Sequence, residues 1–528
     1  MDWSARLDKL DPRLRSFLGI CVAALLMMSP ALTNGTPFFF GDTAHYLGLS
    51  RLLGSAEPQS AIVPLYSDPA YLESPQPLEV REKLLERAAS YLGARSIFYS
   101  LFLGNAVDYL SVWGAMFLQC VFVAGAVWAF LRVIWGAISL WKFLALMLAM
   151  SWLTPLGVVS TTLMPDIFAA PLLLYITIAF VAWERLSVRA RVWLGAGVAT
   201  ALLMHVTHPP VALLMAACGF VLGWMFGDGL RSSLKPAGFV LATIVVSSVL
   251  GGVAGSAANA HLGVELARPP FMMSRIIDDG PGRLYLQEHC ADSTFEICRF
   301  AERILNNPDT ASAGEYAVWD VSAEEGGVYQ VEDVATRARL RAQAPAFAVA
   351  AAGAYPVQQA IESTKNFARQ LVSFSLEGAG TTFWFSHDYW KQRVGWIGNN
   401  ERQKLAPQWC VDNPSERCGW LQHTNLVPGF YVAVLASLVV FALAGFQFWS
   451  SHGLALSKLG GGERALLLAL CGIVANALIC SVLAGPYDRY ANRIIWILPL
   501  IASAFVLWSP EKLTASLRAL RAGRTPQA

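Results

Sequence analysis

Apolar runs of about 20 residues recur along this chain, and they constrain its fold more than any other feature. A helical run of this length crosses the roughly 30 Å hydrocarbon layer of a bilayer, because a helix rises about 1.5 Å per residue. Apolar residues make up 55% of the 528 residues and charged residues only 14%, a balance unlike that of soluble proteins. The sequence therefore predicts an integral membrane protein.

Ten of these runs are predicted to span the membrane as helices. They begin near Phe17, Tyr109, Leu140, Asp166, Val192, Pro210, Gly238, Val427, Arg464 and Arg493. The predicted fold class is mainly α: a polytopic helical membrane protein of about ten spanning helices, with a mixed extracytoplasmic domain. The first run lacks a convincing small-x-small exit and is followed by further spans, so we expect an anchor rather than a cleaved signal.

The positions of Lys and Arg in the short connections predict the orientation of the chain. With ten spans and both termini inside, every basic cluster flanking a short loop falls on the cytoplasmic side. We expect a bacterial inner membrane, with the active face in the periplasm. The net charge of +2 gives no reason to expect a nucleic acid partner.

This topology divides the chain into three regions. Residues 1–258 form an N-terminal membrane domain whose first outer loop covers 33–108, residues 259–426 form the extracytoplasmic domain, and residues 427–528 form the C-terminal membrane helices with a basic cytoplasmic tail. Within the first outer loop, apolar residues recur at helical spacing from Glu79 to Leu92, which predicts an amphipathic helix on the membrane surface.

Four of the nine cysteines lie in the predicted outer domain as two close pairs, Cys290 with Cys298 and Cys410 with Cys418. Two sequential disulfides are the favoured interpretation in an oxidising compartment. A metal site is less favoured, because the spacing is wide and His289 is the one imidazole beside either pair. Free thiols are the third alternative. The other five cysteines lie in apolar runs and are predicted to be packing residues.

Four short polar clusters fall on the outer face of this topology. They contain Asp42 with His45, Asp166, His205 with His208, and the stretch 487–493 with Tyr487, Arg489 and Arg493. Charged residues beside membrane spans are costly unless they have a task. We therefore expect a functional site at this surface.

The layout of the whole chain resembles the GT-C class of integral-membrane glycosyltransferases. The resemblance is carried by Asp42 in the first outer loop, Pro165-Asp166 opening the fourth span, an outer domain, and a late Asp488-Arg489-Tyr490 element with Pro499 downstream. It implies transfer of a sugar from a lipid-linked phosphate donor to a glycan, lipid or protein acceptor outside the cytoplasm. The Arg493 between Tyr490 and Pro499 departs from the pattern of the class, in which the Pro often lies closer to the Tyr.

Such a reaction needs a base for the acceptor hydroxyl and fixed positive charge for the departing phosphate. Asp42 is the candidate base, because a carboxylate in a partly dehydrated pocket has its pKa moved toward that task; alternatively it caps a surface helix. Arg489 and Arg493 are candidate phosphate ligands, since the guanidinium fork suits phosphate oxygens. The alternative is a surface pair of Asp488 with Arg489, and an interfacial anchor at Arg493.

The remaining candidate substrate-binding residues are Tyr487, Asp166, His45, His208 and Arg275. Asp166 either begins a helix, where the macrodipole favours it, or orients the acceptor or helps to bind a divalent cation. For His205 and His208, a hydrogen-bonding role at a helix end is favoured over metal ligation, because prolines follow them, and no metal ligands are assigned. The segment around Arg275 is either a lid on the acceptor path or a turn-rich connector.

Two other classes of protein fit the same spans. The alternatives are a transporter or flippase for a lipid-linked glycan and a non-catalytic envelope assembly protein. The chain has no nucleotide-binding phosphate loop and no dinucleotide fingerprint, and acidic residues at mid-span are scarce. These observations favour chemistry at the membrane surface over transport.

Overall fold

The structure of the chain is a computed structural model that describes residues 11–35, 38, 40–66, 77–376, 423–453, 455–511 and 514. Within these ranges the chain is mostly helical and contains no β-strand; the extended pairing found there is an isolated bridge between Phe38 and Thr162. The predicted mainly-α class is therefore confirmed. The outer domain was expected to be mixed, but residues 259–376 contain helices and irregular segments only.

The helices of the first half, up to the outer domain, are α1 Pro12–Met27, α2 Ser29–Asn34, α3 Gly41–Gly54, α4 Pro58–Tyr66, α5 Leu78–Leu92, α6 Ile97–Trp135, α7 Leu140–Leu153, α8 Leu156–Thr161, α9 Ala169–Ala182, α10 Val188–Met204, α11 His208–Met225 and α12 Leu230–Leu262. Those of the second half are α13 Phe271–Asp278, α14 Pro281–Glu288, α15 Ala301–Leu305, α16 Ala313–Trp319, α17 Val334–Ala354, α18 Pro356–Val372, α19 Val427–His452, α20 Gly461–Leu483, α21 Asp488–Ile495 and α22 Ile497–Trp508. Short 3₁₀ turns precede or follow several of them, including Pro165–Phe168 before α9.

Eight helical segments in the described ranges are long and apolar enough to cross a membrane, as in an integral membrane protein. Two of the ten predicted spans are shorter: α7 has 14 residues and α10 has 17. The run starting at Leu140 is interrupted because Thr154 precedes Pro155 and adopts an extended conformation (φ −139°, ψ 167°), as a residue before proline prefers. Length and composition thus support eight of the ten predicted spans.

The membrane part packs around a buried centre formed by α6, α9, α20 and the pair α21–α22. Large side chains fill this centre, among them Phe130, Phe143, Trp496 and Phe505, all of which are fully or almost fully buried. The helices α12 and α19 instead expose most of their apolar residues. Such exposure suits helices at the periphery of a bundle, where lipid rather than protein covers them.

The outer domain has a separate core built by α13 to α17. Its members include Ile277, Leu286 and Val318, and the series Leu340, Ala344, Phe347 and Ala351 recurs at helical spacing along α17. The predicted disulfide between Cys290 and Cys298 is confirmed and lies beside this core. The predicted pair Cys410 and Cys418 lies outside the described residues.

The first outer loop packs directly on the outer domain. Its predicted amphipathic helix is confirmed as α5, which ends in a tight contact: a Cβ on Gly93 would lie 2.2 Å from the carbonyl oxygen of Ala267. Next to it, the Tyr91 hydroxyl donates to the carbonyl oxygen of Trp319 at 3.1 Å. Two segments separated by more than 150 residues in sequence therefore pack as one unit.

We predict that Gly93→Ala weakens this unit. The added methyl group has no space beside Ala267, and overpacking of this kind costs about 1–3 kcal/mol. Gly54→Ala is the matched control, because a Cβ at Gly54 meets no atom within 4 Å. In thermal unfolding of the detergent-solubilised protein, Gly93→Ala should lower the midpoint and Gly54→Ala should not; equal midpoints would contradict the contact.

Candidate functional site

The start of α3 is fixed against the connection between α8 and α9. Phe38 pairs with Thr162 and accepts a hydrogen bond from the Leu163 N–H. Thr43 then accepts from the Phe40 N–H at 3.0 Å and donates to the carbonyl oxygen of Leu163 at 2.9 Å. Since Phe40 is the N-cap residue, the chain places Asp42 within the first helical turn, where the helix dipole favours a carboxylate. The predicted alternative of an N-cap role for Asp42 is wrong.

Two guanidinium groups from distant parts of the chain contact Asp42. Arg95, in the connection between α5 and α6, donates to Oδ1 of Asp42 at 2.6 Å, and Arg489 of α21 donates to Oδ2 at 3.4 Å. The side chains of Asp42 and Arg489 are 22% and 24% exposed, whereas that of Arg95 is 10% exposed. The cluster therefore lies at an accessible edge of the bundle, with Arg95 on its inner side.

The electrostatics of Asp42 differ from the expectation of a raised pKa. Burial raises the pKa of this carboxyl, but Arg95, the hydrogen bond with His45 and Arg489 together hold it below its ordinary range. Burial also lowers the pKa of His45, whose Nδ1 lies 3.7 Å from Asp42. In this state Asp42 is a stable anion beside a neutral imidazole, and a weak base.

Aromatic rings surround both arginines. The Arg489 guanidinium lies over the rings of Phe40 and Tyr490, each at 4.8 Å, and it donates to the Tyr490 hydroxyl at 2.9 Å. The Arg95 guanidinium lies 5.9 Å from the Tyr46 ring and 6.0 Å from the ring of Trp319 in the outer domain. These contacts desolvate and orient the two cations without neutralising them.

Arg493 lies one turn after Arg489 on α21, as predicted for a helical stretch, yet it has a different environment. Its side chain is fully buried and its Nη1 is 3.2 Å from Asp166. Asn476 accepts from it at 2.6 Å, and Thr207 accepts at 3.2 Å. Arg493 and Asp166, both predicted to bind substrate, thus form a closed network that joins α21 to the start of α9 and to α20.

The two histidines of the predicted outer cluster lie beside this network, His208 buried and His205 half-buried. His208 is buried and its Nδ1 lies 2.6 Å from the carbonyl oxygen of Ala201, which fixes the ring proton on Nδ1 because a carbonyl only accepts. His205 contacts the hydroxyl of Thr207 at 2.8 Å. The favoured hydrogen-bonding role at a helix end matches this geometry, and His208 does not reach the accessible edge.

The segment around Arg275 joins the outer domain to the chain before α21. The Arg275 guanidinium donates to Asp279 and lies beside Gly485, where a Cβ would be 3.1 Å away. Tyr487, 41% exposed, donates from its hydroxyl to Glu315 of α16 at 3.1 Å. Helix α16 therefore covers the site from outside, with Glu315 near Arg489's helix and Trp319, four residues later, near Arg95.

Sequence reasoning missed Arg95, Asn476, Glu315 and Trp319. A signal for Arg95 existed, because it is a lone cation directly before Ser96, the N-cap of a long apolar helix. The other three carry no pattern of their own and become relevant only through contacts with other elements: Asn476 with Arg493, 17 residues later, Glu315 with Tyr487, and Trp319 with Arg95. Among the described residues, no group of three or more Asp, Glu, His or Cys side chains could hold a metal ion.

A scan against models of protein families, a search of curated proteins and a search of solved structures find no match to this chain. The contacts around Asp42 and Arg489 therefore carry the functional argument.

We predict that Arg493 is needed for stability. Arg493→Met leaves the Asp166 carboxylate buried without its ion-pair partner, which costs about 3–5 kcal/mol. Arg489→Met is the matched control on the same helix, since its side chain is part-exposed. Thermal unfolding should show a large loss for Arg493→Met, a small loss for Arg489→Met and partial recovery in Arg493→Met/Asp166→Asn. Unaltered stability of Arg493→Met would refute a structural role.

We also predict that the stability of the protein depends on pH through Asp278, whose carboxylate accepts a hydrogen bond from the first turn of α16. Burial raises the pKa of Asp278, which accepts from the Gly314 N–H at 2.7 Å, from 3.8 to about 7. The folded state therefore binds more protons than the unfolded state between these values, and stability falls as pH rises through this interval.

In Asp278→Asn this dependence should disappear, because the amide still accepts from Gly314 and does not ionise. The measurement is the midpoint of thermal unfolding at pH 5 and at pH 8. From pH 5 to pH 8 the midpoint should decrease for the wild type and should change less for Asp278→Asn. Asp309→Asn, at an exposed loop carboxylate, should behave as the wild type. An identical decrease in Asp278→Asn would contradict the prediction.

Proposed function

We propose that this protein is a membrane glycosyltransferase of the GT-C type, which moves a sugar from a lipid-linked phosphate donor to an extracytoplasmic acceptor. The observation that carries the proposal is the contact of Asp42 with Arg489 at an accessible edge of an apolar bundle. The two residues are 447 positions apart, so the fold has brought a carboxylate and a guanidinium together where a lipid phosphate and an acceptor hydroxyl could meet.

Arg489 is the donor-phosphate ligand in this proposal. Its planar fork can donate two parallel hydrogen bonds to phosphate oxygens, and its partial exposure leaves it accessible from the bundle edge. Together with Arg95 it gives two cations for the single carboxylate of Asp42, an excess of one positive charge. That excess attracts an anionic headgroup and stabilises the charge that develops on the departing phosphate.

Asp42 is the base for the acceptor. The acceptor hydroxyl oxygen bonds to the anomeric carbon, the bond from this carbon to the phosphate oxygen breaks, and the hydroxyl proton passes to the Asp42 carboxylate. His45 stays neutral and orients Asp42, and Tyr487 lines the acceptor side together with α16. Arg493, Asp166 and His208 position α21 from within the bundle rather than touching substrate.

The topology completes the proposal. With ten spans and both termini in the cytoplasm, as the sequence predicts, the first outer loop, the outer domain and the start of α21 would lie together in the periplasm of a bacterial inner membrane. The disulfide between Cys290 and Cys298 supports an oxidising compartment for this face. A periplasmic acceptor, whether glycan, lipid or protein, could then reach Asp42 without crossing the bilayer.

Asp42→Asn tests the reaction. The amide cannot accept the hydroxyl proton, so we expect product formation to fall by about 10²–10⁴-fold while a polyprenyl phosphate still binds. The measurement is mass spectrometry of envelope glycans from deletion cells complemented with each variant, together with polyprenyl phosphate binding in nanodiscs. Asp309→Asn is the control, and it should restore the wild-type glycans.

Arg489→Gln tests the phosphate site, and it should weaken polyprenyl phosphate binding by about tenfold or more, equivalent to about 1.4 kcal/mol. Unchanged binding would mean that Arg489 is an interfacial anchor. Wild-type glycans with Asp42→Asn would remove the transferase assignment, and a lipid-linked glycan that still crosses the membrane in this variant would point to a flippase.

A further inference from the structure

The two arginines hold the Asp42 carboxylate unequally. Arg95 lies 2.6 Å from one oxygen, and Arg489 lies 3.4 Å from the other. Because N–H···O hydrogen bonds in proteins are about 2.7–3.2 Å long, the 3.4 Å contact of Arg489 exceeds this range and Arg95 makes the stronger contact. Arg489 is the more weakly held and the more exposed of the two.

Arg95 is rigidly placed. Its backbone N–H donates to the carbonyl oxygen of Leu92 at 2.8 Å. The next residue, Ser96, caps α6 and donates to the carbonyl oxygen of Leu203 at 2.7 Å. Its guanidinium lies near the rings of Tyr46 and Trp319, and the side chain is only 10% exposed, so Arg95 is held on the inner side of the cluster.

Arg489 is held less firmly than Arg95. Its second hydrogen-bond partner is the hydroxyl of Tyr490, an uncharged group, and its other close contacts are aromatic faces. The Asp166 carboxylate also attracts Arg489, but it makes its contact with Arg493. An anion at the exposed edge therefore competes with one carboxylate, Asp42, for direct contact with Arg489.

We propose that Arg95 is a positioning residue that keeps Asp42 in place while Arg489 exchanges its contact with Asp42 for the phosphate of the donor lipid. This inference rests on the proposed function and deepens it. In the free protein Asp42 is shared by two cations; once the donor binds, it keeps only Arg95. The carboxylate then becomes a stronger proton acceptor with the donor in place, so the acceptor hydroxyl is activated only when a sugar is ready for transfer.

Removing a binding-site residue usually weakens ligand binding, but the exchange predicts that removing the Asp42 carboxylate strengthens it. In Asp42→Asn no carboxylate remains in contact with Arg489, so a polyprenyl phosphate should bind more tightly than to the wild type, by about three- to tenfold, the scale of one part-exposed ion pair. The probe is a polyprenyl phosphate without sugar, titrated against the full-length protein in nanodiscs of zwitterionic lipid.

Asp488→Asn is the charge-matched control. It removes the same charge one residue from Arg489, but the Asp488 carboxylate accepts from Ser375 on another segment. A general electrostatic effect would tighten binding equally in both variants, whereas competition for Arg489 requires a clearly larger effect for Asp42→Asn.

Arg95→Gln separates an indirect role from direct phosphate contact. Alone, it leaves Asp42 to Arg489, so phosphate binding should weaken by about three- to tenfold. In the Asp42→Asn background the same substitution should have an effect of less than about twofold, because there is no carboxylate left to release. An undiminished effect in that background would mean that Arg95 binds phosphate itself, and it would overturn the positioning role.

The failure of this inference is distinguishable from failure of the proposed function. If Arg489→Gln weakens binding while Asp42→Asn leaves it unchanged or weaker, the exchange is wrong and the phosphate site stands. If Arg489→Gln has no effect or the wild type does not bind polyprenyl phosphate, the proposed function fails as well. Circular dichroism and unfolding midpoints establish that each variant is folded before it is titrated.

Discussion

The buried contact of Arg493 with Asp166 and Asn476 is the interaction on which the geometry of the site depends. It places a guanidinium at zero exposure inside an apolar bundle, where an unpaired charge would be too costly to keep. Helix α21 can therefore occupy one position only, with Arg493 inside its network. Because Arg489 precedes it by one helical turn, the same constraint delivers Arg489 to the rim of the bundle beside Asp42.

Arg489 and Arg493 look equivalent in sequence, but they have different roles in the structure. Both lie on one face of α21, both follow an apolar span and both could bind phosphate by chemistry alone. Their surroundings separate them: the inner one is enclosed by polar partners of α9, α20 and the segment before α11, and the outer one meets aromatic rings and a single carboxylate. The packing around each side chain, rather than residue type, decides which arginine remains accessible to a ligand.

Local patterns predicted much of this structure. Apolar runs located the segments that are long and apolar enough to span a membrane, and apolar periodicity located the amphipathic α5, but the helices α17 and α18 were not predicted. Cysteine spacing predicted the disulfide between Cys290 and Cys298, and charges beside spans singled out Asp42, Asp166 and Arg489. Pro155 in an apolar run was a visible signal that the third span would break, and it was overlooked. The remaining features arise from contacts between distant segments: the pairing of Arg95 with Asp42, which reverses the expected shift of the pKa, and the burial of Arg493 cannot be read from either neighbourhood alone.

The late position of α21 in the chain has a consequence for biosynthesis. Asp42 can pair early, because Arg95 follows it by 53 residues, whereas Arg493, the partner of Asp166, is made 327 residues after that carboxylate. During this interval the Asp166 carboxylate must be tolerated by the insertion machinery or by early helices without its final counterion. A product that terminates before α21 therefore carries the Asp166 carboxylate without the guanidinium that pairs with it.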